Sequence, residues 1–249
     1  MVERTKDEPY WNAWDEMVKA SIARNTVELP LFLSITDFEN KQVLDAGAGV
    51  GRVAFKVQGF CDKITCLDEN DWALKALEKG KEKLGLQNKI EIKKGSIKQI
   101  PLPDNSFDIT YALWVMHHYK PDWELMIKEM VRVTKPGGFI ITCFSTEKGS
   151  IPVMEAIKKE NEIQLRKEFP KKVQKELEKN NCSSGIKKAM LPFYFKNADF
   201  TFRVLSETFL PKPLEKQAES KVKDFIKKHS NEKGTFLDEE VAFVFGRKS

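Results

Sequence analysis

Val43-Leu44-Asp45-Ala46-Gly47-Ala48-Gly49-Val50-Gly51 places a short apolar run, a carboxylate and three alternate glycines directly before the helical-looking Arg52-Val53-Ala54-Phe55-Lys56-Val57. Val43 and Leu44 favour a strand. Glycines at alternate positions permit positive φ and close approach of the backbone to a bound molecule. The chain therefore turns from strand to helix beneath a ligand. A dinucleotide fingerprint needs glycine three residues after Gly49, where Arg52 stands, and a phosphate loop needs Gly-Lys-Ser or Gly-Lys-Thr, which is missing. What is left is an acidic side chain beside a glycine-lined gap, suited to a cationic group.

The elements that follow alternate between strand and helix. Lys63-Ile64-Thr65-Cys66-Leu67-Asp68 reads as a second strand ending in a carboxylate. At the tip of a second parallel strand such a group can accept both hydroxyls of a ribose, which makes Asp68 a candidate ribose ligand. Its structural alternative is an N-cap for the helix Trp72 to Lys79, a role that Asn70 or Asp71 fills better by position. Lys89 to Ile97 alternates polar and apolar side chains and turns at Gly95. Leu102-Pro103-Asp104-Asn105-Ser106-Phe107-Asp108 gives a polar turn before an apolar fourth strand, Ile109 to Met116. After Pro121-Asp122, apolar residues at helical spacing run from Trp123 to Arg132, and Arg132-Val133-Thr134-Lys135-Pro136-Gly137-Gly138 ends that helix and feeds a strand, Phe139 to Phe144.

Across roughly residues 38 to 145 these motifs resemble the class I S-adenosylmethionine (SAM) methyltransferases, whose first motif is an acidic residue followed by Gly-x-Gly-x-Gly. Asp45, Gly47, Gly49 and Gly51 fill its four diagnostic positions. Leu-Pro-x-x-x-Phe-Asp, as in Leu102 to Asp108, is typical of the family. Arg-Val-x-Lys-Pro-Gly-Gly resembles the hinge of the methyltransferase type 11 branch that includes ubiquinone and menaquinone biosynthesis enzymes. The resemblance implies an α/β fold: a Rossmann-like, doubly wound, seven-stranded sheet, mostly parallel with the last strand antiparallel, and a helical lid inserted after the fifth strand. It implies S-adenosyl-L-methionine as cofactor and S-adenosyl-L-homocysteine as product. Asp45 and the glycine turn would hold the methionine end, Asp68 the ribose, Ser96 and Ile97 the adenine, while Ala112 and Leu113 would pass beside the methyl. Relatives usually carry Gly-Asp where this chain has Gly95-Ser96, so the adenine amino group would meet a neutral acceptor, typically weaker than an ionised one.

At 249 residues the chain is long enough for one large domain with an appendage. Residues 1–150 carry 21 basic and 22 acidic side chains, residues 151–249 carry 21 and 15, so the basic surplus is distal. That surplus either marks a nucleic-acid or anionic surface or, since its lysine pairs are interspersed with glutamates at helical spacing, a solvated helix face. Cys61, Cys66, Cys143 and Cys182 form no Cys-x-x-Cys pair, and the histidines lack metal-ligand spacing, so neither a metal nor a disulfide framework is expected. No run of eighteen apolar residues exists and the amino terminus is highly charged, giving the expectation of a soluble, cytoplasmic protein with no membrane span.

The organisation expected is an amino-terminal helical cap over 1–37, a SAM-binding core over 38–148, a helical lid or substrate insertion over 149–199, and the final strands with an intervening helix over 200–249. Ile151 to Asn180 carries an apolar stripe broken at Pro170, which fits two helices meeting there. Phe200 to Leu205 and Val241 to Phe245 read as the remaining strands, separated by a lysine-rich helix from Glu215 to His229. Trp11 and Trp14 share one helical face ahead of the core.

Methyl transfer from a sulfonium mainly requires an acceptor held in line with the methyl. Where a proton must leave, His117 and His118, at the carboxyl edge of the sheet, are the candidate catalytic bases, with Tyr10, Tyr111 and Tyr194 behind them. Tyr10, Trp114 and Tyr194 are the candidate substrate residues. The leading expectation is methylation of a small molecule. The alternatives are RNA or protein methylation through the basic distal region, and a non-catalytic SAM-binding protein. Ala112-Leu113-Trp114-Val115 stands where many amino-nitrogen methyltransferases of macromolecules carry Asn-Pro-Pro-Tyr.

Overall fold

β1 (Gln42–Ala46) lies between β2 (Lys63–Asp68) and β4 (Phe107–Leu113), parallel to both, with Asp45 opposite Cys66 on one side and Tyr111 on the other. β3 (Ile90–Lys94) pairs parallel to β2, and β5 (Thr134–Gly149) pairs parallel to β4. Central parallel strands are covered on both faces, which is why β1, β2 and β4 read as nearly unbroken apolar runs. The computed structural model describes residues 12, 13, 16, 20, 24–116, 122–149, 160–208 and 215–249. Tyr10, Trp11, Trp14, His117 and His118 lie outside the described residues.

Among the described residues the sheet runs β3-β2-β1-β4-β5-β8-β6, where β6 is Cys182–Phe195 and β8 is Gly234–Lys248; a two-residue strand, β7 (Ser230–Asn231), pairs antiparallel with β8 off this path. Thr142 bonds to Val244 and Thr146 to Glu240, so β8 descends as β5 ascends. The strand order reverses between β1 and β4, and open α/β folds place ligands at such a switch point, outside the carboxyl ends of the strands. The expected sheet, mostly parallel and closed by antiparallel pairing, is therefore present, with eight strands among the described residues where seven were expected, the two-residue β7 lying off the main path.

The chain packs as two compact units. One comprises Leu33–Phe144, Pro170–Lys187 and Ala242–Ser249. In it, the helix Asp71–Lys83 buries Ala73 and Leu77, and the Asn70 side chain accepts from the Ala73 amide at 2.9 Å as N-cap. The helix Trp123–Val133 buries Met126, Ile127, Met130, Val131 and Val133, a helical stripe. Lys248 closes the far end of that helix by donating to the carbonyls of Val131 and Thr134 at 2.9 and 2.8 Å. Part of the basic surplus is thus structural.

The other unit comprises Met1–Phe32, Ser145–Phe169 and Lys188–Val241. Here Phe200 to Leu205 is not a strand but lies within the helix Ala198–Thr208. The Asn197 side chain accepts from the Phe200 amide at 2.8 Å, as an N-cap does. Thr201, Val204, Leu205 and Thr208, at helical spacing, are the buried residues. The missing strand is β6, which falls in the segment expected to be a helical insertion. Nor do two helices meet at Pro170: a single helix, Glu160–Lys179, carries that proline inside it. The helix Lys216–Lys228 buries Val222 and Ile226 and leaves most of its lysines exposed, as a solvated face requires.

Candidate functional site

The glycine turn is held by β2. The amides of Gly47 and Ala48 donate to the Leu67 carbonyl at 2.7 and 3.0 Å, and Gly47, Gly49 and Gly51 all have positive φ, at 85°, 55° and 84°. Gly47 has a second reason to lack a side chain, since a Cβ there would stand 2.6 Å from a methyl of Val115, just past β4. The turn thus fits between the ends of three strands, with Gly47 half-buried and Gly49 and Gly51 buried.

Asp68 completes it from β2. One carboxylate oxygen accepts from the Gly49 amide at 2.8 Å and the other from the Asn70 amide at 2.9 Å. Capping of the next helix belongs to Asn70, so Asp68 is not needed for it. Gly95, at the end of β3, donates to the Asp68 carbonyl at 3.0 Å and brings Ser96 and the buried Ile97 alongside. The Ser96 hydroxyl accepts weakly from the Lys98 amide at 3.4 Å.

Asp45 is buried, and the Tyr111 hydroxyl donates to its Oδ2 at 2.9 Å. Burial pushes the Asp45 carboxyl up to about 7, against the opposing pull of the Tyr111 hydrogen bond and of the Arg52 charge. Burial also holds the Tyr111 phenol well above its ordinary range, reinforced by the Asp45 charge. Tyr111 is a donor here and unsuited to act as a base. Nothing in its spacing announced the pair; only the register of β1 against β4 makes the two residues neighbours.

Ala112 and Leu113 are buried at the end of β4, and the chain then bends at Trp114, whose φ of 65° is an unusual conformation for a bulky residue. The Trp114 amide donates to the Cys143 carbonyl at 2.8 Å, and its side chain is mostly buried. Asp45, the glycines, Asp68, Ser96, Ile97, Ala112, Leu113 and Trp114 therefore converge at the carboxyl ends of β1 to β4 within one unit. Tyr194 belongs to the other unit, where its hydroxyl donates to the Lys233 carbonyl and its ring lies 5.1 Å from that of Phe236.

The two longer motifs form the frame behind these residues. Arg132 donates to the carbonyls of Ile100 and Leu102 at 2.8 and 3.0 Å and to Glu129 at 2.8 Å, clamping the Leu-Pro turn to the helix. The Arg132 guanidinium holds the Glu129 carboxyl below its ordinary range. Asp108 accepts from the Gln42 amide at 2.8 Å and from Lys135 at 2.9 Å, joining the start of β4 to β1 and β5.

Chemically the cluster offers a buried carboxylate and a side-chain-free glycine backbone for a cationic end, a carboxylate for paired hydroxyls, and a hydroxyl with an apolar side chain for a flat polar ring. Those are the needs of SAM, and the residues fit it. Among the described residues no group of acidic, histidine and cysteine side chains could hold a metal ion, and all four cysteines are free and buried.

Residues 44–142 match the family described as a methyltransferase domain. The sterol 24-C-methyltransferase erg6 of Aspergillus fumigatus is 41% identical over 101 residues, 40% of this chain and 26% of that protein. The demethylmenaquinone methyltransferase of Staphylococcus haemolyticus is 36% identical over 104 residues, 42% of this chain and 41% of that protein. The chain thus spans well under half the length of these curated relatives. The solved YcgJ protein of Bacillus subtilis shares the fold, with a TM-score of 0.61 at 18% identity, covering 88% of this chain and 97% of that one. With the first motif on β1, the carboxylate on β2 and the hinge before β5, the stretch 44–142 that matches the methyltransferase domain is similar to that of SAM-dependent methyltransferases, the demethylmenaquinone methyltransferase among them.

Proposed function

We propose that the protein transfers a methyl group from SAM to a small, apolar acceptor. The observation that carries this reading is the Asp68 carboxylate, tied to the Gly49 amide at the switch point and in excess of what the neighbouring helix needs as a cap. SAM supplies a methyl already activated on a sulfonium. Asp45 and the backbone of Gly47, Gly49 and Gly51 would hold its methionine end, Asp68 its ribose hydroxyls, and Ser96 with Ile97 its adenine. Ala112 and Leu113 would wall the methyl-bearing end and exclude water, and the bent Trp114 would face the acceptor. If the acceptor must lose a proton, the stretch after β4 that carries His117 and His118 would take it.

The relatives' names, a sterol methyltransferase and a demethylmenaquinone methyltransferase, support an apolar small molecule over a macromolecule. The test is release of S-adenosylhomocysteine from SAM in the presence of sterols, quinones, total RNA or protein, at low and high salt. Turnover on an apolar acceptor that is indifferent to salt is expected; RNA held by lysines would lose affinity steeply with salt. SAM binding without turnover on any acceptor would favour the non-catalytic reading, and absence of SAM binding would sink the enzyme reading.

A further inference from the structure

Asp45 sits in one row across the sheet, with Cys66 of β2 beside it on one side and Tyr111 of β4, then Ile141 of β5, on the other. All four are buried. A carboxylate in such a row is costly when ionised unless hydrogen bonds or opposite charge compensate. Tyr111 supplies a neutral donor through a 2.9 Å bond to Oδ2, which also fixes the rotation of the carboxyl plane two residues before the glycine turn. The charged and titratable groups that act on Asp45 are Arg52 after the turn, Asp68 and Cys66 on β2, and Tyr111 on β4.

We infer that Tyr111 is a positioning residue for the cofactor: its hydroxyl orients Asp45 and favours the ionised carboxylate that receives the cationic methionine end of SAM. The inference rests on the proposed role of Asp45 and deepens it. Tyr111 would act on the cofactor through Asp45, to which its hydroxyl donates. A hydrogen bond to a charged group favours that charge, so removing the hydroxyl makes the carboxylate harder to ionise.

The experiment is calorimetric titration of the full chain with SAM between about pH 6 and pH 8, comparing wild type, Tyr111→Phe and Asp45→Asn. SAM's own ionisation cancels when each variant's Kd is divided by that of the wild type at the same pH. For Tyr111→Phe the ratio should be about tenfold at pH 6 and shrink to about twofold by pH 8, as a shift of roughly one unit in ionisation requires. For Asp45→Asn it should grow with pH, because the wild type gains a charge that the variant cannot. A Tyr111→Phe ratio that stays constant with pH would assign the tyrosine to packing and overturn the inference, even with Asp45→Asn behaving as expected. Wild-type affinity in Asp45→Asn at every pH would instead remove the proposed role of Asp45. Should Tyr111→Phe fail to fold, uniform replacement of tyrosine by 3-fluorotyrosine retains the ring and strengthens the donor. Affinity at pH 6 should then rise relative to the unlabelled protein, and no change would count against the inference.

Discussion

The Gly49 amide donates to the Asp68 carboxylate at 2.8 Å, joining the centre of the glycine turn to the end of β2 across nineteen residues of chain. The second oxygen of the same carboxylate accepts from the Asn70 amide. One side chain therefore ties the turn to the Asn70 amide that precedes the next helix, in addition to its proposed role toward ribose. Asp68→Ala is expected to weaken SAM binding by about a hundredfold and to lower stability by about 1–2 kcal/mol, since two amides lose a charged acceptor. Calorimetry and thermal melting together check this. Loss of stability with unchanged SAM affinity would confine Asp68 to the scaffold.

Gly47→Ala brings a methyl to 2.6 Å from Val115 and forces a side chain onto a φ of 85°. A loss of about 2–4 kcal/mol is expected in urea unfolding. The double variant Gly47→Ala, Val115→Ala should recover the steric part and leave the conformational part, about 1 kcal/mol. Full recovery would show that the backbone conformation costs nothing.

Asp45 makes the stability of the ligand-free protein depend on pH. Its carboxyl is raised by burial to about 7, above its ordinary 3.8, so the folded state binds the proton more tightly than the unfolded chain. The contribution is complete below about pH 4 and is lost as pH rises through about 7, an effect of order 2–4 kcal/mol. Asp45→Asn should abolish that slope and stabilise the ligand-free protein above pH 7 while weakening SAM binding. Melting temperatures from about pH 5 to pH 8 read the slope, and an equal slope in both proteins would contradict the assignment.

Arg132 is expected to tolerate no conservative exchange. Its guanidinium reaches the carbonyls of Ile100 and Leu102 as well as Glu129 and Asp104, a spread that a single ammonium does not reproduce. Arg132→Lys should lose about 1–2 kcal/mol, most of it from the guanidinium hydrogen bonds to Leu102, Ile100 and Glu129 that an ammonium does not replace together. Proteolysis within Leu102 to Ser106 should quicken in that variant if the clamp holds the turn. An unchanged cleavage rate would place the stabilisation elsewhere.

Most of the core was legible in the sequence because its signals are local. Val43 to Gly51 states strand, carboxylate and turn within nine residues, and the glycines keep that meaning whatever surrounds them. The distal part was harder because one stretch carried two periods. Phe200, Phe202 and Val204 alternate as a strand would, whereas Thr201, Val204, Leu205 and Thr208 are spaced as one face of a helix, and it is the second set that became buried. The Asn197 cap and a neighbouring helix decided between them.

By itself the sequence determined the order of strands and helices through the core, the glycine turn that no larger residue can make, and the carboxylates that flank it. The tertiary structure decided which distant residues those groups meet. Tyr111 became the partner of Asp45, Val115 the reason for Gly47, and Arg132 the clamp on Leu102, each set by the register of parallel strands or the docking of a helix. Backbone conformation is a property of neighbouring residues, whereas hydrogen bonds and contacts across a sheet depend on packing between segments far apart in the chain, which no local pattern records.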